Sequence, residues 1–390
     1  MNKVALIKLG CRFALNSKSK TGGVQEAISI IDMLNTSGIQ VDVYDKILNG
    51  DEQSTSKLLN IYNIDKVETG LFDEVLPYYE TVNDQGYDAL IVLNGNVTYF
   101  GGEDRPHETK KLIILNEFVG PVFYIIGDFN LILKNNEKSL LAKKWVHNYD
   151  GHKLATDRDD IIYISQGKET QKLFDHLNNS KSSSTVHVKD VKYFPIEKFP
   201  WFAMDYGKFN ENPEFDLIYG GNFRGGSREA DMIKFLFGYP NDIRVRVFGA
   251  ISEKQFNKSK VGDLRSPEFN SKSYDYLTYC AELNKSKSII IIGDGKDKLY
   301  NKTAARVFES VRMGLVLFID ESLDPNKTVF NNDELKEFCY VNSRSDVIEK
   351  LEKLKDIEFR KHIVDLERQD LDCTYKDYCD QFKELLESEI

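Results

Sequence analysis

Phe215-Asp216-Leu217-Ile218-Tyr219-Gly220-Gly221-Asn222-Phe223-Arg224-Gly225-Gly226-Ser227-Arg228-Glu229 is the stretch that decides the fold. An apolar, β-rich run over 215–219 passes through a glycine-rich turn into a helical pattern over 228–237. Strand, tight turn and helix in that order open a βαβ unit. The glycines let backbone approach a ligand, and the free N–H groups at a helix start attract an anion. Arg224 and Arg228 add two planar guanidinium forks suited to a pyrophosphate. The spacing is neither GxGxxG nor a P-loop, so a plain turn with solvated arginines stays open for this string alone.

The same alternation extends outward in both directions. Downstream the pattern predicts strands over 244–248, 288–292 and 315–319, with helices over 303–313 and 345–355. Upstream it predicts strands over 4–8, 41–44, 89–93, 122–126 and 161–165, and a helix over 24–34 closed by Ser37-Gly38. Several strands are apolar on consecutive residues, as in a parallel sheet covered on both faces. Residues 193–207, with Pro195 and Pro200, read as a crossover between two doubly wound domains. The division expected is 1–197, 198–367, and a helical tail over 368–390 that packs back on the first domain. Residues 47–79 read as a polar, acidic insertion and 178–184 as a solvated loop.

Composition removes whole classes of function. The 390 residues carry 52 Lys+Arg against 62 Asp+Glu, a net charge of -10, so overall charge cannot hold this chain on nucleic acid. Any phosphate contact must come from local patches. The five cysteines form no CxxC pair and the six histidines no cluster, which argues against a disulfide frame and a structural zinc site. No apolar run is long enough to span a bilayer, and the one after Met1 is too short for a signal peptide. The expectation is a reduced, cytosolic protein without a membrane partner.

Other groups that could carry chemistry also follow strands. Asp294, in Ile292-Gly293-Asp294-Gly295, precedes Tyr300 and then Arg306 and Glu309, whose three-residue step puts them on one helical face. An intrahelical Arg–Glu pair is the bland reading of those two. Asp128 ends the run Tyr124-Ile125-Ile126-Gly127, where a carboxylate can act as general base or simply as a turn or helix cap. Glu26 in the first helix and Glu197 in the crossover are each, alone, surface charges. The loop Asn94-Gly95-Asn96-Val97-Thr98-Tyr99-Phe100-Gly101-Gly102 offers aromatics as a wedge or stacking platform, or is a tight loop whose aromatics tuck into the core. Lys134, Lys138, Lys143 and Lys144, with Trp145, form the one basic stretch beside the expected cleft, and as a bare charge run would be a solvated face. Taken together these features predict an α/β chain of two Rossmann-like, doubly wound domains facing a cleft, with a nucleotide-diphosphate site in the second. That is the architecture of a GT-B glycosyltransferase, and nucleotide binders of other kinds would fit it as well.

The motifs also resemble those of a known family, the DNA β-glucosyltransferases of T-even bacteriophages. The resemblance rests on Ile164-Ser165-Gln166-Gly167, Tyr193-Phe194-Pro195-Ile196-Glu197, Asp216 to Gly221 with Phe223-Arg224 and Arg228-Glu229, and Glu253-Lys254-Gln255-Phe256. It continues through Ile291-Ile292-Gly293-Asp294, Arg306-Val307 with Glu309, and Tyr340-Val341-Asn342, in one order along nearly the whole chain. It implies an inverting enzyme that moves glucose from UDP-glucose to 5-hydroxymethylcytosine in duplex DNA and so shields phage DNA from host nucleases. By position it assigns Asp128 as the base, with Glu26 in the active site. Gly221, Arg224, Arg228, Arg306 and Glu309 go to the diphosphate and ribose, and Phe248 to the uracil. Glu197, Asp294 and Tyr300 go to the donor sugar side, and Thr98, Phe100 and Lys143 to DNA. A monomer in the infected bacterial cytoplasm is implied, with a double-stranded DNA partner.

Departures from the family mark where substrate identity is open. The step from Asp294 to Arg306 is one residue longer than in the family, and the loop after Asp128 lacks its basic residue. Rival readings keep the chemistry but change the donor, to UDP-arabinose for example, or take an already glycosylated base. Others make the chain a non-catalytic nucleotide binder or a small-molecule glycosyltransferase. No Asp-x-Asp pair demands a metal, while Mg²⁺ or Mn²⁺ at the leaving diphosphate stays compatible with the sequence.

Overall fold

The computed structural model describes residues 1–9, 22–44, 67–68, 82–94, 113–126, 158, 160–171, 191–196, 207–221, 227–249, 256–257, 262–271, 274, 276–293, 298, 301, 305–371 and 375–390. The chain divides into two compact units. One comprises Met1–Phe202 with Cys373–Ile390, the other Ala203–Asp372.

In the first unit a parallel seven-stranded sheet has the order β3-β2-β1-β4-β5-β6-β7. Its strands are β1 (Lys3–Leu9), β2 (Gln40–Tyr44), β3 (Val67–Glu68), β4 (Ala89–Asn94), β5 (Val122–Ile126), β6 (Ile161–Ser165) and β7 (Val191–Tyr193). All five residues of β5 are buried, and Val4 to Ile7 of β1 are fully shielded, as central parallel strands require. Each such side chain contributes about 1.5–3 kcal/mol of burial. Helix α1 (Gly22–Thr36) follows β1 and ends where Gly38, at φ +78°, takes a left-handed turn that other residues resist. The tail folds as α8 (Tyr375–Glu387), which packs on α1 in this unit: the Tyr375 hydroxyl donates to Asp32, and that of Tyr378 to the Pro195 carbonyl. Phe194 stacks against both Tyr378 and Phe382, at 5.0 and 4.8 Å between centroids.

The second unit is built on the same plan. Its parallel six-stranded sheet has the order β10-β9-β8-β11-β12-β13. The strands are β8 (Phe215–Gly220), β9 (Val245–Phe248), β10 (Glu268–Asn270), β11 (Ser286–Ile291), β12 (Val316–Asp320) and β13 (Tyr340–Val341). The helices are α2 (Ser227–Leu236), α3 (Tyr276–Leu283), α4 (Ala305–Arg312), α5 (Asp333–Phe338), α6 (Arg344–Lys353) and α7 (Ile357–Leu371). Asn332 and Ser343 cap α5 and α6, their side chains accepting backbone N–H groups of the first turn. This is the α/β, doubly wound fold the sequence predicts, in both halves.

Where the structure differs from the sequence reading, the reason is local. Tyr193, read as the start of the crossover, closes the edge strand β7, paired with Ser165 of β6. Within the acidic stretch 47–79, Val67–Glu68 joins the sheet as β3 beside β2. The tail expected as one helix from about 368 is two: α7 ends at Leu371 and α8 begins at Tyr375.

Candidate donor-nucleotide site

In a doubly wound sheet the ligand edge lies beyond the C-terminal ends of the strands, at the point where strand order reverses. In the second unit that point falls between β8 and β11. Strand β8 runs out in Gly220, and the next residue, Gly221, has φ +148°. After the neighbouring β9, Gly249 has φ +147°. Both conformations are strained for any side chain. The Gly221 N–H donates to the Phe248 carbonyl at 2.9 Å, and the Gly249 N–H to that of Asn270 at 3.2 Å. A Cβ on Gly249 would stand 2.3 Å from the Gly221 carbonyl oxygen, so the two turns interlock through bare backbone.

Arg306 fills the next layer. It is the second residue of α4, and its guanidinium crosses the face of Gly221 so closely that a Cβ there would meet Nη2 at 2.3 Å. On its other side the guanidinium carbon lies 5.3 Å from the centre of the Tyr219 ring, within cation–π range. Glu309, one turn on, is 5% exposed. Burial works against the Arg306 charge, yet Tyr219, Tyr279 and Glu309 outweigh it and hold its pKa above the ordinary value. The side chain is a fixed cation at the mouth of a helix start. Burial, with Glu309 next, pushes the Tyr279 hydroxyl well above its usual range, so it stays protonated.

An aromatic wall stands beside this corner. Phe248 is fully buried, with Tyr274 at 5.8 Å and 66° and Tyr279 at 5.5 Å and 50°. A Cβ on Gly220 would meet Phe248 at 2.9 Å, so this glycine is fixed by packing. Asn270 steadies the wall through a 2.7 Å bond to the Tyr274 hydroxyl. Lys298 ties neighbouring elements together: its ammonium lies 2.7 Å from Asp231 of α2 and 3.5 Å from Asp320 at the end of β12. Burial opposes that charge, but the two carboxylates prevail and raise its pKa.

Of the residues picked from the sequence, Gly221, Phe248, Arg306 and Glu309 come together here, with Arg228 on the first turn of α2 beyond the same strand β8. Glu26 lies in α1, after β1. Asp128, Arg224, Asp294, Tyr300, Glu197, Thr98, Phe100 and Lys143 fall outside the described residues. Tyr219, Gly249, Tyr279 and Lys298 were not picked. Tyr219 and Gly249 adjoin picked residues, and the run of an aromatic into a glycine at each strand end was the available signal.

No protein-family model matches the chain. A curated relative does: the chain is 27% identical over 375 residues to the DNA beta-glucosyltransferase of Enterobacteria phage T4, covering 95% of both. The resemblance read from the motifs is borne out. Among solved structures, that of the T4 phage β-glucosyltransferase (BGT) with its UDP-glucose substrate superposes with a TM-score of 0.69 at 25% identity, over 98% of each chain. A point mutant of the T4 enzyme with UDP-glucose gives 0.69 at 26%, over 98% of this chain and 99% of the other. The T4 enzyme with UDP and Mn²⁺ gives 0.67 at 25%, with the same coverage. Among the described residues no group of three His, Cys, Asp or Glu side chains could hold a metal ion, and no helix is long and apolar enough to cross a membrane.

Proposed function

We propose that the chain transfers glucose from UDP-glucose to the hydroxymethyl group of 5-hydroxymethylcytosine in duplex DNA, with inversion at the anomeric carbon. The observation that carries this reading is the similarity to the T4 DNA beta-glucosyltransferase along 95% of both chains. The corner of Gly221, Phe248, Arg306 and Glu309 supports its donor half.

In this mechanism Asp128, two residues beyond β5, takes the proton from the acceptor hydroxyl as its oxygen attacks the anomeric carbon. Glu26 assists from α1. The bond to the diphosphate breaks, and Arg306, with Arg224 and Arg228, stabilises the charge gathering on UDP. Glu309 takes the ribose hydroxyls, and Phe248 packs by the uracil. Glu197, Asp294 and Tyr300 hold the donor sugar. A base buried in a duplex must leave the stack to react, and Phe100, with Thr98 and Lys143 on the DNA side, is the candidate wedge. A divalent ion such as the Mn²⁺ bound by the T4 enzyme would supply charge neutralisation at the leaving diphosphate. The described residues offer it no donor set, and the fixed charge identified here belongs to arginine. The enzyme acts as a monomer in the infected host cytoplasm, where the sugar shields phage DNA from nucleases.

Incubation of hydroxymethylated and unmodified duplexes with a panel of UDP-sugars, followed by mass spectrometry of the nucleosides, tests the reading. It requires one hexosyl residue on hydroxymethylcytosine from UDP-glucose. A pentosyl product would move the donor to UDP-arabinose, and transfer only to soluble acceptors would remove DNA from the reaction.

A further inference from the structure

An aromatic side chain that the donor reading leaves without a role lies against Arg306. We propose that Tyr219 is a positioning residue, its ring face pinning the Arg306 guanidinium flat over Gly221 and presetting it for the diphosphate of a nucleotide. The inference rests on the donor reading above and deepens it.

Two surfaces enclose the guanidinium. Below it lies the Tyr219 ring, 5.3 Å from its centre to the guanidinium carbon and fully buried in β8. Against Gly221 the fork occupies the space a side chain would take, with Nη2 at 2.3 Å and Nη1 at 2.8 Å from a Cβ placed there. A free arginine carries about 2 kcal/mol of rotamer entropy that a ligand must overcome to fix it. Here the folded chain has already restricted it, so less is lost when the anion arrives. The ring also attracts the charge without neutralising it, unlike a carboxylate. Glu309, the acid nearest along α4, is one turn away. The positive charge stays available to phosphate oxygens.

Replacing Tyr219 by Phe, and then by phenylalanines with one, two and three ring fluorines, changes shape little while draining charge from the ring face. Calorimetry with UDP and, in parallel, with uridine reads the effect. Tyr219→Phe should stay within about threefold of the parent, because the face and not the hydroxyl holds the fork. Fluorination should then weaken UDP binding stepwise, about three- to thirtyfold in total, and leave uridine binding unchanged. In an Arg306→Ala background the series should be flat, the mark of coupling between the two residues. Constant UDP affinity across the fluorinated series, or equal losses for UDP and uridine, would overturn the inference and make Tyr219 a core residue only. Wild-type UDP affinity in Arg306→Ala alone is a different result: it would remove the donor site, and this inference with it.

Discussion

The two sheets share one plan and end differently. In each, the chain moves outward from a first strand and returns to its other side, so strand order reverses between β1 and β4 in one and between β8 and β11 in the other. Along the chain, the acceptor-side residues assigned from the sequence follow strands of the first sheet: Glu26 after β1, Thr98 and Phe100 after β4, Asp128 and Lys143 after β5. The arginines and Glu309 assigned to the nucleotide lie beyond β8 and β11 of the second. Around β8 the second sheet ends in interlocked glycine turns, with the Arg306 guanidinium over the Tyr219 ring. In the first sheet, Asp42 of β2 holds Lys3 at 3.0 Å and accepts from the Tyr87 hydroxyl at 2.9 Å, joining β1 to the segment before β4. A shared topology therefore leaves the chemistry of each edge to the residues that follow its strands.

The largest effect is expected at Asp128. Asp128→Asn should bind UDP like the parent yet transfer glucose at least about a hundredfold more slowly, because a general base is lost and the donor edge is untouched. Turnover near the parental rate would return Asp128 to a turn residue and leave the first sheet without its assigned chemistry.

A second test concerns stability in the nucleotide-side unit. Glu367 of α7 is fully buried, accepts from the Leu317 N–H at 2.8 Å and lies 3.3 Å from the Cys339 thiol. Burial pushes its pKa up to about 8, with those two bonds and Arg368 pulling the other way. The folded state therefore keeps a proton that the unfolded chain releases near its ordinary value of 4.5. The contribution is fully present below that value and lost as pH rises towards and through about 8. Denaturation of Glu367→Gln should show a flatter pH profile and, at pH about 8.5, greater stability than the parent, on the order of 3 kcal/mol. Parallel profiles would mean the carboxyl is ionised in the fold.

Arg306→Ala should weaken UDP binding by about 1.5–3 kcal/mol, the range for a charged hydrogen bond lost. Calorimetry giving parental affinity would put the nucleotide elsewhere. The smallest expected effect is on DNA. With a net charge of -10, duplex binding must be weak and strongly salt-dependent. Changing Lys143 and Lys144 to Glu should remove about 0.9 per lost phosphate contact from the slope of log affinity against log salt, with UDP affinity unchanged. An unaltered slope would make that stretch a solvated face.

How much of this was legible beforehand depends on what each segment buries. Strands β5 and β6 were readable to the residue, because Val122–Ile126 and Ile161–Ser165 are continuous β-rich runs. The edge strands β7 and β10 escaped: Val191–Tyr193 and Glu268–Asn270 bury no residue fully, so their pattern is that of loops. Helix α7 was hidden for the opposite reason. Its buried face carries Arg360 and Glu367 beside Ile363 and Val364, which breaks the apolar period. At the site, Gly221 and Arg306 were legible from residue type and position at strand ends. Tyr219 was not, since a tyrosine inside an apolar strand reads as core until the arginine that it supports is placed over its ring.

In the proposed function the second sheet's edge holds the nucleotide and the first sheet's edge meets the DNA. Hydrogen exchange followed by mass spectrometry, with UDP and with a hydroxymethylated duplex added separately, tests it most directly. UDP should slow exchange in peptides covering 219–229, 248–250 and 293–309 and leave those covering 95–102 and 128–145 unchanged. The duplex should do the reverse. Protection of 95–102 or 128–145 by UDP alone, with the residues after β8 and β11 unaffected, would place the nucleotide on the first unit instead.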